Sequence, residues 1–478
     1  MTKNASFVQQ GEQKALPQPE KDHVLEAISR RRFMGGAVTA AVGSLVLRSP
    51  GLCADTGETA PQRAQGKVDG WPCRGGCTAR TYRGPTLTLG MPPKVAWVTQ
   101  PFTKKELHRY GKPTIRYVVA SKELAFVVCG IDLHTPMAGI GFQDLIVAVN
   151  LSDGERRWWF FGAGRLRGSC LALDAPGTLY VACCSEAFAV DTRTGGPIWR
   201  AKLALVMRNS SSIILDESRV YIVLWGGGLL ALSRKTGEIA WQRQLPVEEV
   251  RDRDWRATMS LMKGRLFVLG EGKPDVWAVS TKTGKISWHA KLPSARASGG
   301  RLVQYGPTGF GAVAGGQVIV PGWAGFAPAS PYVCGMAQAT GKVGWKFSFG
   351  QEGAAAMGVA VGGQRLYCGI GSGEVVSLDM KGKQVWRTKL TEETPGGARE
   401  RAAASYVVPV VLCGDVLLAA RKSAGLFGLR ASDGKVLWRT PFQCPIHLDT
   451  RIVLADDRIL LNCGNRLLAL RTTKEKKH

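Results

Sequence analysis

The sequence contains no stretch long enough to cross a bilayer as a helix. The apolar run of its leader, residues 35–47, has 13 residues, against the about 20 that a hydrocarbon core requires. Several common chemistries are missing their local patterns as well. There is no glycine-rich phosphate loop, no Gly-x-Ser-x-Gly elbow and no zinc-ligand spacing, which sets aside P-loop nucleotide hydrolysis, elbow-type acyl transfer and zinc modules. Cys73-x-x-x-Cys77 has no histidine at the spacing of a c-type haem site. Acidic residues are scarce, 37 against 63 basic ones, and the formal net charge is +26. Such a surface attracts anionic lipid or polysaccharide, acidic protein or nucleic acid. No nucleic-acid motif accompanies the charge, so nucleic acid is the weakest of these partners.

The N-terminus reads as an export signal. A polar leader runs into Ser29-Arg30-Arg31-Arg32-Phe33-Met34, then the apolar run, then Arg48 and Leu52-Cys53-Ala54. This is the three-region pattern of a twin-arginine signal. The expected organisation is a signal peptide over 1–54, an N-terminal extension over 55–93, a repeat domain over 94–471 and a basic tail over 472–478, with the mature protein periplasmic or otherwise exported. Leu52-Cys53-Ala54 lacks the small residues that precede a lipidated cysteine, so no lipid anchor is expected. Removal of 1–54 takes away seven basic and four acidic residues and leaves a net charge of +23.

What the chain has in abundance is a repeat. Segments ending in tryptophan align as AVNLSDGERRW, AVDTRTGGPIW, ALSRKTGEIAW, AVSTKTGKISW, GMAQATGKVGW, SLDMKGKQVW and GLRASDGKVLW. Their closing residues, Trp158, Trp199, Trp241, Trp288, Trp345, Trp386 and Trp438, are separated by 41, 42, 47, 57, 41 and 52 positions. That is the period of a four-stranded propeller blade. Two apolar runs bounded by Gly, Asp or Pro precede each segment, giving strands a, b and c, a glycine turn, and strand d with the tryptophan. The last unit, 451–473, stops before any tryptophan. The missing strand stands at the other end, as Pro93-Lys94-Val95-Ala96-Trp97-Val98. The fold expected is all-β: an eight-bladed propeller of four-stranded antiparallel blades, the last closed by the N-terminal strand, which removes exposed sheet edges at the seam. In each repeat the glycine supplies a positive φ, and the tryptophan, Trp97 included, docks one blade on another.

These segments resemble the repeats of pyrroloquinoline-quinone (PQQ) proteins, Ala-x-Asp-x-x-Thr-Gly-x-x-x-Trp, with Ala189 through Trp199 the best copy. Trp71-Pro72-Cys73-Arg74-Gly75 with Ala79-Arg80-Thr81 is similar to the stretch that opens many exported PQQ-like propellers. The resemblance spans about 71–471 and places the chain in the quinoprotein alcohol dehydrogenase-like superfamily, which contains both enzymes and binding scaffolds. Its dehydrogenase members imply PQQ with calcium, a catalytic aspartate and a vicinal disulfide over the cofactor; Cys183-Cys184 is the pair that would match, as a redox pair. It follows strand b here, whereas the family pair precedes a strand a. No Glu, Asn and Asp set matches the calcium motif. Asp252 and Asp254 sit among arginines, and Asp132 with His134 is an isolated pair.

Eleven cysteines would remain after cleavage, an odd number. Cys129, Cys183 and Cys463 share one place at the end of strand b, where other blades carry Gly270, Ile370 or Ala420, and are expected to pack as small apolar groups. Cys73 and Cys77 are positioned to close a small loop in an oxidising compartment.

A ligand site is expected on the face formed by the d–a and b–c connections, which vary while the c–d turns repeat. The longest b–c insertions are 131–144 and 321–331. The d–a connections carry Arg167, Arg208, Arg253, Arg256, Arg296, Arg301, Arg399 and Arg401. Arg208, Arg256, Arg296, Arg301 and Arg401, with Trp225, Trp323 and His134, form the candidate site, suited to an anionic or planar ligand. The reading is a non-catalytic, monomeric binding or assembly scaffold for an unidentified protein or acidic ligand. It has no assigned catalytic residue, metal or cofactor, and is similar in architecture to the propeller subunit of outer-membrane protein assembly. The alternative is a PQQ-dependent dehydrogenase acting on an alcohol or sugar.

Overall fold

In the computed structural model, the described residues are 73, 76, 77, 83, 84, 87 and, between 89 and 472, all except 104, 107–112, 133–141, 162–169, 175–176, 184–185, 204–209, 248–256, 272, 293–294, 297–301, 304, 308–310, 325–329, 351–358, 392–409, 422–424 and 442–451. All lie in the unit Pro50–His478. They form eight antiparallel blades, each a meander from strand a to strand d, and one separate two-stranded sheet; in blade 5 strand a is split into Tyr305–Pro307 and Ala312–Ala314, both paired with strand b. Blade 1 runs from Thr114–Ala120 to Arg156–Phe161, and blade 4 from Ala257–Met262 to Ile286–Lys291. In blade 8, strands a to c are Ile452–Ala455, Arg458–Cys463 and Arg466–Arg471, and strand d is Lys94–Thr99. The N-terminal strand therefore closes the ring, with Trp97 opposite Ala469.

Burial explains the sequence pattern. Strands b and c read as nearly unbroken apolar runs, such as Arg219–Leu224 and Gly228–Ser233, because neighbouring blades cover both their faces. Strand d alternates, as in Pro197–Lys202, because the outer strand is only half covered.

The glycine and the tryptophan of the repeat are partners across blades. Each turn glycine holds φ between 69° and 80°, and a Cβ there would strike the tryptophan of the preceding blade: Gly195 against Trp158, Gly237 against Trp199, Gly284 against Trp241. The indole N–H then donates to a carbonyl in the same next blade: Trp158 to Thr192 at 2.8 Å, Trp199 to Arg234 at 2.8 Å, Trp241 to Thr281 at 2.8 Å. Arginines at the start of strand b reinforce three of these joints. Arg219 Nη1 donates to the Thr281 carbonyl at 2.6 Å, and Arg265 and Arg365 reach the carbonyls of Gln338 and Ala431 that Trp288 and Trp386 also use. At the seam the chain entering blade 8 replaces the turn for Trp438, which donates to the Leu89 carbonyl at 2.7 Å, whereas Trp97 uses the ordinary c–d turn of blade 1, donating to the Leu151 carbonyl at 3.0 Å.

The N-terminal extension is tied to the innermost strands. Cys73 bridges Ala172 in strand a of blade 2, Arg83 bridges Leu412 in strand a of blade 7, and the Gly84 N–H donates to the Leu412 carbonyl at 2.9 Å. The Cys73–Cys77 loop is closed by a hydrogen bond from the Cys73 thiol to the Cys77 carbonyl at 3.3 Å, in place of the disulfide that the spacing allowed.

Candidate functional site

The d–a and b–c connections emerge at one end of the blades, opposite the a–b and c–d turns, as the meander order requires. Two insertions are shorter than the sequence suggested. Strand b of blade 1 continues to Asp132 and strand c starts at Phe142; in blade 5 strand b continues to Ala324 and strand c starts at Ser330. The ladder extends because each insertion still alternates backbone partners, Trp323 standing opposite Pro331. Trp323 is thus a strand residue rather than a loop residue. Arg296 lies on a two-residue strand, Ala295–Arg296, paired with Leu302–Val303 inside the d–a connection of blade 4. Trp225 follows strand b of blade 3 at a turn closed by the Gly227 N–H on the Leu224 carbonyl, and is 7% exposed, so little of its ring is open. Arg208, Arg256, Arg301, Arg401, His134 and Cys184 lie outside the described residues, as do Arg167, Arg253 and Arg399.

Sequence reasoning missed the polar groups buried at this end. Asp144, at the start of strand c in blade 1, is fully buried and receives Arg116 Nη1 at 3.3 Å. A buried carboxylate is tolerable only with such a partner. Arg421 takes the sixth position of strand b in blade 7, the place held by Cys129, Cys183 and Cys463, so the equivalent residue is Arg421 and not Ala420. It is 9% exposed and donates to the Leu390 carbonyl at 2.5 Å in blade 6. The sequence signal was an arginine closing an otherwise apolar run.

The cysteines here are poor nucleophiles. Burial, followed by the nearby Asp144 charge, raises the Cys129 and Cys170 thiols far above their ordinary range. Burial also pushes Cys334 and Cys368 up to about 12. Reactivity requires the thiolate, which these environments disfavour. Cys183 is a fully buried thiol, and Cys463 is disulfide-bonded rather than a simple packed thiol, an oxidation that repeat position alone does not register.

A quinone held with calcium needs several oxygen donors converging on one point. Among the described residues no three His, Cys, Asp or Glu side chains are so grouped. Asp144, Glu186, Asp275 and Glu374 stand in four different blades and pair with Arg116, Arg200, His289 and Arg387. No reaction step is assigned to that cofactor. No helix among them is long and apolar enough to cross a membrane.

A family model described as outer membrane protein assembly factor BamB matches residues 143–322 and 329–474. Among solved structures, the chain is similar to BamB from Moraxella catarrhalis, with 15% identity, a TM-score of 0.51 and coverage of 72% of this chain and 98% of that one. It is also similar to the quinohemoprotein alcohol dehydrogenase from Comamonas testosteroni, with 11% identity, a TM-score of 0.57 and coverage of 86% and 82%. A computationally designed protein, Ika8, matches at 11% identity and a TM-score of 0.52, covering 76% of this chain and 97% of that one. Likeness at these identities is likeness of fold alone. None of the curated proteins matches the chain.

Proposed function

The chain belongs to the family whose model is described as outer membrane protein assembly factor BamB, and from that membership we propose that it is an exported, non-catalytic scaffold that binds a partner through its loop face. The observation that carries this reading is the extent of the match, which runs from strand c of blade 1 to the end of blade 8. The fold adds support: the c–d end is occupied by the repeated glycine, tryptophan and arginine joints, which leaves variation to the other end. There the arginines of the d–a connections supply charge for an acidic partner. Export into the periplasm belongs to the same proposal and rests on the twin-arginine pattern.

Two measurements test it. The purified mature protein titrated with PQQ and calcium is expected to show no saturable binding and no dye reduction with alcohols; both together would establish a dehydrogenase instead. Capture of envelope proteins by the mature chain is expected to fail for the Arg296→Glu, Arg401→Glu double variant. An unchanged set of captured proteins would remove the basic mouth as the partner site.

A further inference from the structure

The residue after the conserved tryptophan sits on the exposed outer strand of every blade. In six blades it is polar or cationic: Arg200, Gln242, His289, Lys346, Arg387 and Arg439. Several are held across the sheet by the start of strand c. Arg200 pairs with Glu186 at 2.5 Å, His289 with Asp275 at 2.8 Å and Arg387 with Glu374 at 2.5 Å, while Lys346 lies 5.1 Å over the Tyr332 ring. Charged side chains on an edge strand discourage a foreign strand from pairing there.

Two blades break the pattern. In blade 1 the residue is Trp159, and the chain covers it with its own segment: Phe102 and Glu106 line one crevice with Trp159, and Glu106 accepts Arg156 Nη1 at 2.8 Å. In blade 8 it is Val98, 51% exposed. The strand c position that is acidic in blades 2, 4 and 6 is Arg466 in blade 8, exposed and in no ion pair among the described residues. Among the described residues, five of the eight exposed large hydrophobic side chains, Met91, Val95, Val98, Val436 and Leu437, lie on or beside the outer strands of blades 7 and 8. The two strands are neighbours, since Trp438 and Thr440 bond the carbonyls of Leu89 and Pro93.

We propose that the outer edge of Lys94–Thr99 is a second interaction surface, which accepts an extended segment of a partner protein carrying alternating acidic and apolar side chains. Backbone pairing along the open edge supplies affinity, Val98 and Val95 receive the apolar side chains, and Arg466 receives an acid. The charge argues against a second copy of this chain as the occupant, because two strongly basic surfaces repel. The surface is separate from the loop face, so its failure leaves the reading of that face intact.

The test uses the mature chain and a labelled strand-length peptide of alternating Val and Glu, with a Val and Lys peptide as control. Saturable binding of the acidic peptide alone is expected. Val98→Arg should weaken it about tenfold, on the order of 1.4 kcal/mol. Its melting temperature should stay that of the parent, since arginine is the resident of this position in three other blades. Arg466→Glu should reverse the preference toward the basic peptide, and Arg296→Glu should leave the affinity unchanged. The proposal is overturned by absence of saturable binding, by equal binding of both peptides, or by an affinity that Val98→Arg does not move. It is overturned equally if Val98→Arg abolishes self-association of the chain, or its binding to phosphatidylglycerol vesicles, while the peptide affinity is unaltered.

Discussion

At the scale of single residues, the repeat glycine serves two ends that a substitution can separate. Gly237 holds φ at 77° and its Cβ position lies 2.6 Å from the Trp199 ring, whereas Gly316 holds φ at 69° with nothing within 4 Å. Alanine at Gly316 meets only the left-handed backbone cost of about 1–2 kcal/mol, while at Gly237 it also overpacks the joint by roughly 1–3 kcal/mol. Chemical denaturation should therefore rank Gly237→Ala well below Gly316→Ala; equal losses would mean that the tryptophan seat is loose. The shared acceptor at Thr281 gives a second case. Trp241→Phe and Arg219→Met each leave one strong donor on that carbonyl, but together they remove both, with only the Tyr221 hydroxyl at 3.5 Å left. The double variant should lose about 1–2 kcal/mol more than the sum of the singles, the penalty of an under-satisfied buried carbonyl. Strict additivity would sink the shared-acceptor account. The turn carboxylates make stability pH-dependent. Burial raises the Asp191 pKa, but the backbone N–H groups of Thr194 and Arg193 outweigh it, and backbone N–H bonds from Glu155 and Lys435 lower Asp153 and Asp433. A lowered folded-state pKa contributes stability that is fully present above the unfolded value of about 3.9 and is lost as pH falls through the folded value. The melting temperature should thus fall below about pH 4, and Asp191→Asn should shallow that fall.

At the scale of elements, the closing strand is the one whose position depends on a chain return from the far end of the sequence. Lys94–Thr99 is separated along the chain from the three strands it completes, and Trp97 anchors it to blade 1 through the Leu151 carbonyl and the face of Gly154. Trp97→Ala should open this seam locally. Amide exchange is expected to accelerate at 95–99 and 467–470 ahead of the other blades, where Trp241→Ala, inside a continuous stretch, should lower stability without that selectivity. Uniform acceleration in Trp97→Ala would argue that the seam has no separate stability. Blade number, strand order and closure were legible in the sequence because each depends on a period and on glycine and tryptophan, which have few structural substitutes. The pairing of glycine with the previous blade's tryptophan was not, because it joins residues about forty positions apart through space. Nor were the continued ladders at Pro321–Ala324 and Ile131–Asp132, since irregular side chains still carry regular backbone donors and acceptors. Arg421 was misplaced by one position because Ala420 preserves the apolar pattern, and only hydrogen bonding fixes the register. That the d–a and b–c connections share one end of the ring was legible; the polar groups Arg116, Asp144 and Arg421 at that end were not, because they occupy strand positions that repeat logic assigns to packing.

At the scale of the molecule, several of the chain's few acids are engaged in ion pairs within it. Glu106, Glu186, Asp275, Glu374 and Asp457 each hold an arginine or histidine of the same domain, and Asp174 holds Arg234. These short pairs leave the +26 surplus without internal compensation. Salt therefore acts on two terms of opposite sign. It weakens the local pairs slightly, and it screens repulsion among the many unpaired cations, whose range shrinks from about 30 Å at 0.01 M to about 10 Å at 0.1 M. Exposed pairs contribute little, on the order of 0–1 kcal/mol each, whereas self-repulsion grows with the square of the net charge, so screening should prevail. The melting temperature of the mature protein should rise by a few degrees between 0.01 M and 0.3 M sodium chloride, while the affinity for any acidic partner falls over the same range. A melting temperature that declines with salt would mean that the internal pairs outweigh the surplus, and that the basic surface is not the long-range attractor on which both proposed interaction surfaces depend.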